Sequence, residues 1–300
     1  MPPEGKEHGA SLPLLEMALA SRTGHLLSRY GLRPVKSLGQ NFLIDGNIAD
    51  MLCAAVSELS PETVIEIGPG LGALTVCLGR EGVRVFAIEK DPKLAAPLTE
   101  LLASFDNVEV SIQDFLNADL SPYLGPETVV AGNLPYYITT PILEKLFSAG
   151  ESFCGIVVTV QREVAQRIQA REGTREYGAL TLFCRFYAQS IETVCQLSPS
   201  VFSPVPSVAS TALRLIPRGA NPEGVHSPEH FFAVVRAAFG YRRKTLRKAL
   251  STATGTCLDR EGSAAVLSSA GIDPQRRGDT LSFEEFVALG NALATREARC

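Results

Sequence analysis

Apolar positions fall into two rhythms that alternate through the first two thirds of the chain. Short runs rich in β-branched residues read as buried strands: Val64, Ile65 and Ile67, then Val83 to Ile88, Val108 to Ile112, Thr128 to Gly132 and Gly155 to Val160. Between them the period is helical: Leu71, Leu74 and Leu78 share a face, Pro92 to Ala103 follows, and a further helix starts near Thr140, with Pro141 suited to its first turn. Helices over Leu14 to Tyr30 and from near Asn47 precede the first strand, a polar helix begins near Arg162, and Ala188 to Gln196 and Val208 to Leu215 form a last β-rich pair. This alternation predicts an α/β fold, a mostly parallel, doubly wound sheet with helices on both faces.

A composition shift at Pro217 to Gly224 marks a linker. Beyond it every pattern is helical, over roughly 228–239, 243–253, 260–270 and 282–296. Ser227-Pro228 reads as a helix start, and Ser282 with Glu285 three residues later as a capping box. The expected organisation is a disordered lead over 1–20, an α/β domain over 21–217 and a small all-α domain over 218–300.

Composition narrows this picture in three ways. A 300-residue chain with 45% hydrophobic content has ample material for a core. No stretch approaches the roughly 18 apolar residues of a membrane span, and the polar, Pro/Gly-rich start is not a secretory signal. The seven cysteines, including Cys257 and Cys300, are scattered without C-x-x-C spacing, and four isolated histidines offer no ligand cluster. Reduced thiols, no metal and a cytoplasmic location are therefore expected. The net charge of −4 argues mildly against a nucleic-acid partner, but only the distribution of charge can decide.

The chemistry concentrates where strands end. The first buried strand breaks on Gly68-Pro69-Gly70-Leu71-Gly72 and turns into a helix, which puts backbone N–H groups and close-approach space at the ligand edge of an open sheet. Glu89 ends the second strand, roughly 20 residues on, where such folds hold ribose hydroxyls. Nicotinamide enzymes share that acid, so it does not choose between cofactors; the G-x-G-x-G spacing leans towards S-adenosylmethionine. Asp114, ending the third strand, is placed to accept from the cofactor's adenine amine, or to cap a turn.

Asn133-Leu134-Pro135-Tyr136 follows the fourth strand directly. It offers an amide oxygen, a backbone carbonyl held by the proline and an aromatic ring. Methyl transfer to an adenine amine needs this set, because two acceptors on the amine hydrogens turn its lone pair out of ring conjugation towards the electrophile while Tyr136 stacks on the base. Phe202, in a proline-braced loop, can supply the second face of an aromatic clamp on a flipped base or simply pack in the core. Arg236, Arg242, Arg243, Lys244, Arg247 and Lys248 form a one-signed run with no acid from Arg236 to Leu250, and in an acidic chain such a run is expected to meet phosphate. Arg162, Arg167, Arg171 and Arg175 extend it, diluted by Glu163, Glu172 and Glu176.

These blocks, with KSLGQNFL (Lys36–Leu43), the QREVAQRIQA…GTREYGAL stretch (Gln161–Leu180), FSPVPSVAS (Phe202–Ser210) and AFGYRRKTLRKAL (Ala238–Leu250), occur in the order found in the bacterial small-subunit ribosomal RNA adenine dimethyltransferases, the KsgA family, which the chain resembles from about Leu32 to Leu250. The resemblance implies a Rossmann-like methyltransferase sheet with a helical C-terminal RNA-binding domain. It further implies transfer from S-adenosylmethionine to N6 of two adjacent adenosines near the 3′ end of 16S ribosomal RNA, within the small subunit, by a monomer. Carried over residue by residue, the cofactor positions are Asn41, Leu43, Gly68, Glu89, Asp114 and Asn133, with Gln40, Gly70 and Gly72 lining the pocket. Tyr241 stands where the family often has glutamine. Large-subunit methylases of the resistance type share the QNF and Asn-x-Pro-Tyr blocks; Leu134 and the Arg242 to Lys248 run favour the small-subunit reading.

Overall fold

A computed structural model describes residues 13–135, 138–148, 153–256 and 258–298. Helices α1 (Leu19–Arg29) and α2 (Gly46–Ser57) flank the short strand β1 (Phe42–Leu43). An alternating run follows: β2 (Thr63–Ile67), α3 (Ala73–Arg80), β3 (Arg84–Glu89), α4 (Ala95–Leu102), β4 (Val108–Ile112), β5 (Thr128–Asn133), α5 (Thr139–Ser148) and β6 (Gly155–Gln161). Next come α6 (Arg162–Ile168), α7 (Ala179–Tyr187), β7 (Ala188–Leu197), β8 (Phe202–Ser203) and β9 (Ser210–Pro217). The remainder is helical: α8 (Pro228–Gly240), α9 (Leu246–Leu250), α10 (Arg260–Ser269) and α11 (Phe283–Glu297).

Seven strands form one sheet in the order β4-β3-β2-β5-β6-β9-β7, and β1 pairs separately with β8, antiparallel. From β4 to β6 the pairing is parallel throughout. The chain winds outward from β2 through β3 to β4 and then crosses back to β5 on the other side of β2. That reversal makes the carboxyl ends of β2 and β5 the switch point, where open sheets leave a crevice. Register does the rest: Ile67 pairs with Gly132 and with Ile88, so Gly68, Asn133 and Glu89 emerge side by side. Gly132 lets β2 and β5 come this close, since a Cβ there would collide with the Ile67 carbonyl oxygen.

The described residues divide into two compact units. One draws on Met1–Leu146, Ser152–Gln161 and Thr193–Arg214; the other on Phe147–Glu151, Arg162–Glu192 and Leu215–Cys300. A single cut at residue 217 is therefore too simple, because α6 and α7 belong to the same unit as the C-terminal helices. In the first unit the central core joins Val64, Val85, Val129 and Val157 of the sheet to Leu78 of α3 and to Leu52 and Val56 of α2. In the second, Tyr177, Phe186, Phe231, Leu246 and Phe286 share a core. Burial of each such side chain stabilises by about 1.5–3 kcal/mol.

Three expectations are corrected. The polar helix from Arg162 stops at Ile168, and an unforeseen helix, α7, buries Leu180, Leu182 and Phe186. The helix expected over 243–253 shortens to α9, because Thr245 at its N-cap is extended and a turn closes from the Lys244 N–H to the Tyr241 carbonyl, 2.8 Å. Part of the lead, residues 1–12, lies outside the described residues, whereas Leu14–Glu16 forms a single helical turn and α1 begins at Leu19. The capping box at Ser282 and Glu285 forms as expected, with both reciprocal bonds present.

Candidate active site

A cleft opens over the carboxyl ends of β2, β3 and β5. Gly39 to Phe42, Gly68, Gly70, Glu89, Asp114, Phe115, Asn133, Leu134 and Pro135 all line it. Gly70 has φ +60°, and a Cβ there would press on the Phe42 ring at 3.1 Å, so its missing side chain is part of the cradle.

Glu89 is 6% exposed, and its carboxylate is held at both oxygens: Gly70 N–H donates to Oε2 (3.1 Å) and Asp91 N–H to Oε1 (2.8 Å). Burial pushes its pKa up, while these two bonds pull the other way. Asp91 in turn accepts from Gln40 Nε2 at 2.8 Å, and Gln40 Oε1 accepts from Val35 N–H at 2.8 Å. Gln40 therefore reaches the cleft edge with both ends of its amide engaged, acting as a strut between the Val35–Asn41 loop and the end of β3.

Asp114 takes up the capping alternative at the cleft's edge. It lines the cleft and also caps the turn Phe115–Asn117, accepting from Leu116 N–H at 3.0 Å. Lys90 Nζ lies 2.7 Å from its other oxygen and is the main reason its carboxyl stays below the usual range.

Asn133 carries the decisive geometry. Its Nδ2 donates to the Asn41 carbonyl at 3.2 Å, and a carbonyl can only accept, so the amide is fixed with Oδ1 on the opposite side. That Oδ1 is buried and has no partner among the described residues. An unpaired buried acceptor costs about 1–3 kcal/mol, which a donor arriving in the cleft would recover. Leu134 N–H donates to the Thr159 carbonyl at 3.0 Å, holding the backbone that follows.

Other expected site residues stand elsewhere. Tyr136 lies outside the described residues. Gly72 does not line the cleft; it caps α3, where a Cβ would meet Leu101 at 2.6 Å. Leu43 lines an adjoining recess, paired with Phe202 across β1 and β8. Phe202 is 1% exposed and packs in the sheet core, so in this state it presents no face to a base. Pattern reasoning missed Glu66, which is 2% exposed, lines the same recess as Asn133 and has an Oε2 with no partner among the described residues. Burial, reinforced by the Glu89 charge, raises its pKa to about 7. The signal was present: an acid inside an apolar strand, two residues before the first glycine.

The family model for ribosomal RNA adenine dimethylase matches residues 32–293. The chain belongs to this family. Ribosomal RNA small subunit methyltransferase A of Geobacillus kaustophilus (strain HTA426) is 44% identical over 287 residues, 93% of this chain and 97% of that protein. Its namesake from Bacillus mycoides (strain KBAB4) is 43% identical over 285 residues, with the same coverage. Among solved structures, a dimethyladenosine transferase from Plasmodium falciparum superposes with a TM-score of 0.71 at 24% identity, over 84% of this chain and 96% of that one, and supports the fold. The 23S rRNA methyltransferase ErmE superposes at 0.62 with 26% identity, over 85% and 100%.

The basic cluster of this dimethylase-family chain divides once placed. Arg236, Arg243, Lys244 and Lys248 are exposed, as are Arg162, Arg167, Arg171 and Arg175 in the same unit. Arg242 is different: its guanidinium donates to the carbonyls of Thr174 (3.3 Å) and Arg175 (2.6 Å) and lies 3.6 Å from Asp279. It staples the Thr174–Arg175 turn to the end of α8. No helix among the described residues is long and apolar enough to cross a membrane.

Proposed function

We propose that the cleft binds S-adenosylmethionine with Glu89 on the ribose, Asp114 on the adenine amine and the Gly68–Gly70 turn against the amino-acid end, and that Asn133 and Leu134 receive the substrate adenine. The chain is a ribosomal RNA adenine N6,N6-dimethyltransferase of the small-subunit type, acting in ribosome biogenesis. Its substrates are two adjacent adenosines near the 3′ end of 16S ribosomal RNA. The observation that carries the site assignment is the buried, unpartnered Asn133 Oδ1 beside the glycine turn.

The donor set fits the cofactor: an acid at the end of β3, a second acid at the end of β4 and a side-chain-free cradle at Gly70 are what a nucleoside bearing an amino-acid tail requires. When bound, S-adenosylmethionine supplies an electrophilic methyl on a positively charged sulfur. Asn133 Oδ1 and the Leu134 carbonyl accept the two N6 hydrogens of adenine, which rotates the nitrogen lone pair out of ring conjugation and aims it into the cleft. The Asn41 carbonyl keeps the amide from flipping. No strong base is needed, since the methylated ammonium is acidic enough to lose its proton to water. After the first transfer one hydrogen remains, and the same acceptors can orient it for the second.

The exposed cations of α6, the turn after it, and Arg243 to Lys248 form the RNA-facing surface, and the helical segment over 218–300 serves as the RNA-binding part of a cytoplasmic monomer. Transfer of labelled methyl to undermethylated 30S particles, naked 16S RNA and 50S particles, followed by nucleoside analysis, tests the function. Dimethyladenosine formed with 30S is expected. Label on large-subunit RNA, or none with cofactor still bound, would overturn it.

A further inference from the structure

Lys145 lies on α5, twelve positions past Asn133, and none of the cleft chemistry uses it. Its ammonium is nevertheless fully committed. Nζ donates to three backbone carbonyls, Phe115 at 2.8 Å, Leu116 at 3.0 Å and Ala118 at 2.6 Å, which exhausts its three hydrogens. It also sits 5.3 Å from the centre of the Phe115 ring. Those carbonyls belong to the one-turn helix Phe115–Asn117 and its exit, the segment hung from Asp114. The turn's own bonds are short-range: Leu116 N–H donates to the Asp114 carboxylate, Asn117 and Ala118 N–H groups to the Asp114 carbonyl, and Ala118 N–H also to the Phe115 carbonyl. These bonds place Asp114 relative to its own turn, Lys90 holds its other oxygen, and among the described residues Lys145 ties that turn's carbonyls to the helix that follows Asn133-Leu134. Burial pulls the Lys145 pKa down, and the Asp114 and Asp119 charges oppose that.

We infer that Lys145 is a positioning residue that sets the Asp114 carboxylate and the Phe115 ring against the cofactor's adenine ring, so that recognition of the 6-amino group depends on a side chain that never touches it. The inference rests on the proposed reading of Asp114. It follows from reach and valence: a flexible stem carrying three donors spans a short gap and gathers three carbonyls of a one-turn helix, which satisfies few of its own. Without it the turn keeps its internal bonds and Asp114 its contact with Lys90, but the turn loses its tether to α5, and the Asp114 carboxylate and Phe115 ring shift from the positions at which amine is told from carbonyl.

The test is binding, by calorimetry, of S-adenosylhomocysteine and of S-inosylhomocysteine, in which the 6-amino group is replaced by oxygen. The proteins are the wild type, Lys145→Met, Lys145→Gln and Asp114→Asn. Wild type should prefer the adenosyl ligand by tenfold or more, because a carboxylate facing a carbonyl meets a second acceptor and is repelled where the amine would donate. Lys145→Met should weaken the adenosyl ligand by roughly tenfold, leave the inosyl ligand within about twofold and so collapse the preference; kcat at saturating cofactor should change by less than about threefold. Equal weakening of both ligands would mean general loosening and would overturn the inference, as would a preserved preference. Lys145→Gln keeps donors but cannot reach all three carbonyls; if the Met variant does not fold, wild-type preference in the Gln variant overturns the inference. Asp114→Asn separates the two levels. If it collapses the preference while the Lys145 variants do not, Lys145 alone is misassigned; if it leaves the preference intact, the reading of Asp114 fails and takes the inference with it.

Discussion

At the scale of single residues, the site is built from groups whose bonds are partly spent and partly held open. Asn133 is the sharpest case, with Nδ2 engaged by Asn41 and Oδ1 buried without a partner. Asn133→Ala should lower kcat by about 100-fold or more while cofactor affinity stays within a few-fold, as titration and single-turnover assays would establish; wild-type turnover would remove Asn133 from the chemistry. Glu66 makes a prediction about pH. Its carboxyl ionises near 7 in the fold against the usual 4.5, with burial as the chief cause. Below 4.5 neither the folded nor the unfolded chain carries this charge; as pH rises to 7 the unfolded chain ionises first, so the fold loses stability, by about 3 kcal/mol at most. Glu66→Gln should therefore gain on wild type across that window in urea denaturation, and parallel curves would refute it. The Asn-Leu-Pro block and the glycines were legible because their chemistry is local. The Gln40–Asp91–Glu89 chain of bonds was not, since its members come from separate stretches.

At the scale of elements, strands were read well and short helices poorly. Strands β2, β3, β5 and β6 are buried on both faces, so their apolar runs are unbroken and stand out from the helices. Helix α7 escaped because Leu180, Leu182, Phe183 and Phe186 read as easily as the approach to a strand, and only packing against Phe231 and Phe232 makes them helical. The helical pattern over 243–253 takes in Arg243 and Lys244, yet they occupy the turn before α9. Spacing alone cannot detect an extended N-cap. Gly132 tests the closeness of β2 and β5: Gly132→Ala should destabilise by roughly 2 kcal/mol or more, because the new methyl would meet the Ile67 carbonyl and neither backbone can yield. A melting temperature equal to wild type would show that the strands can part without cost.

Over the whole molecule, a chain of net charge −4 carries its exposed cations in quantity on the unit formed by Phe147–Glu151, Arg162–Glu192 and Leu215–Cys300. Reversing Lys244 and Lys248 should weaken binding to 16S RNA and flatten its salt dependence by roughly one in log–log slope for each phosphate no longer neutralised, at unchanged melting temperature. Arg242→Ala should instead lower the melting temperature, since it removes bonds to the Thr174 and Arg175 carbonyls. An unchanged slope in the first variant would move the RNA surface elsewhere. The order of apolar runs, the glycine turn, the strand-end acids and the Asn-Leu-Pro block were determined by the sequence itself, because period and local backbone chemistry need no distant partner. Tertiary structure decided which cations are free and which are staples, that Phe202 packs and Gly72 supports α4, and that Lys145 reaches the Asp114 turn. Each of these depends on what another part of the chain brings within a few ångströms, and burial and bonding of that kind have no signature in one-dimensional spacing.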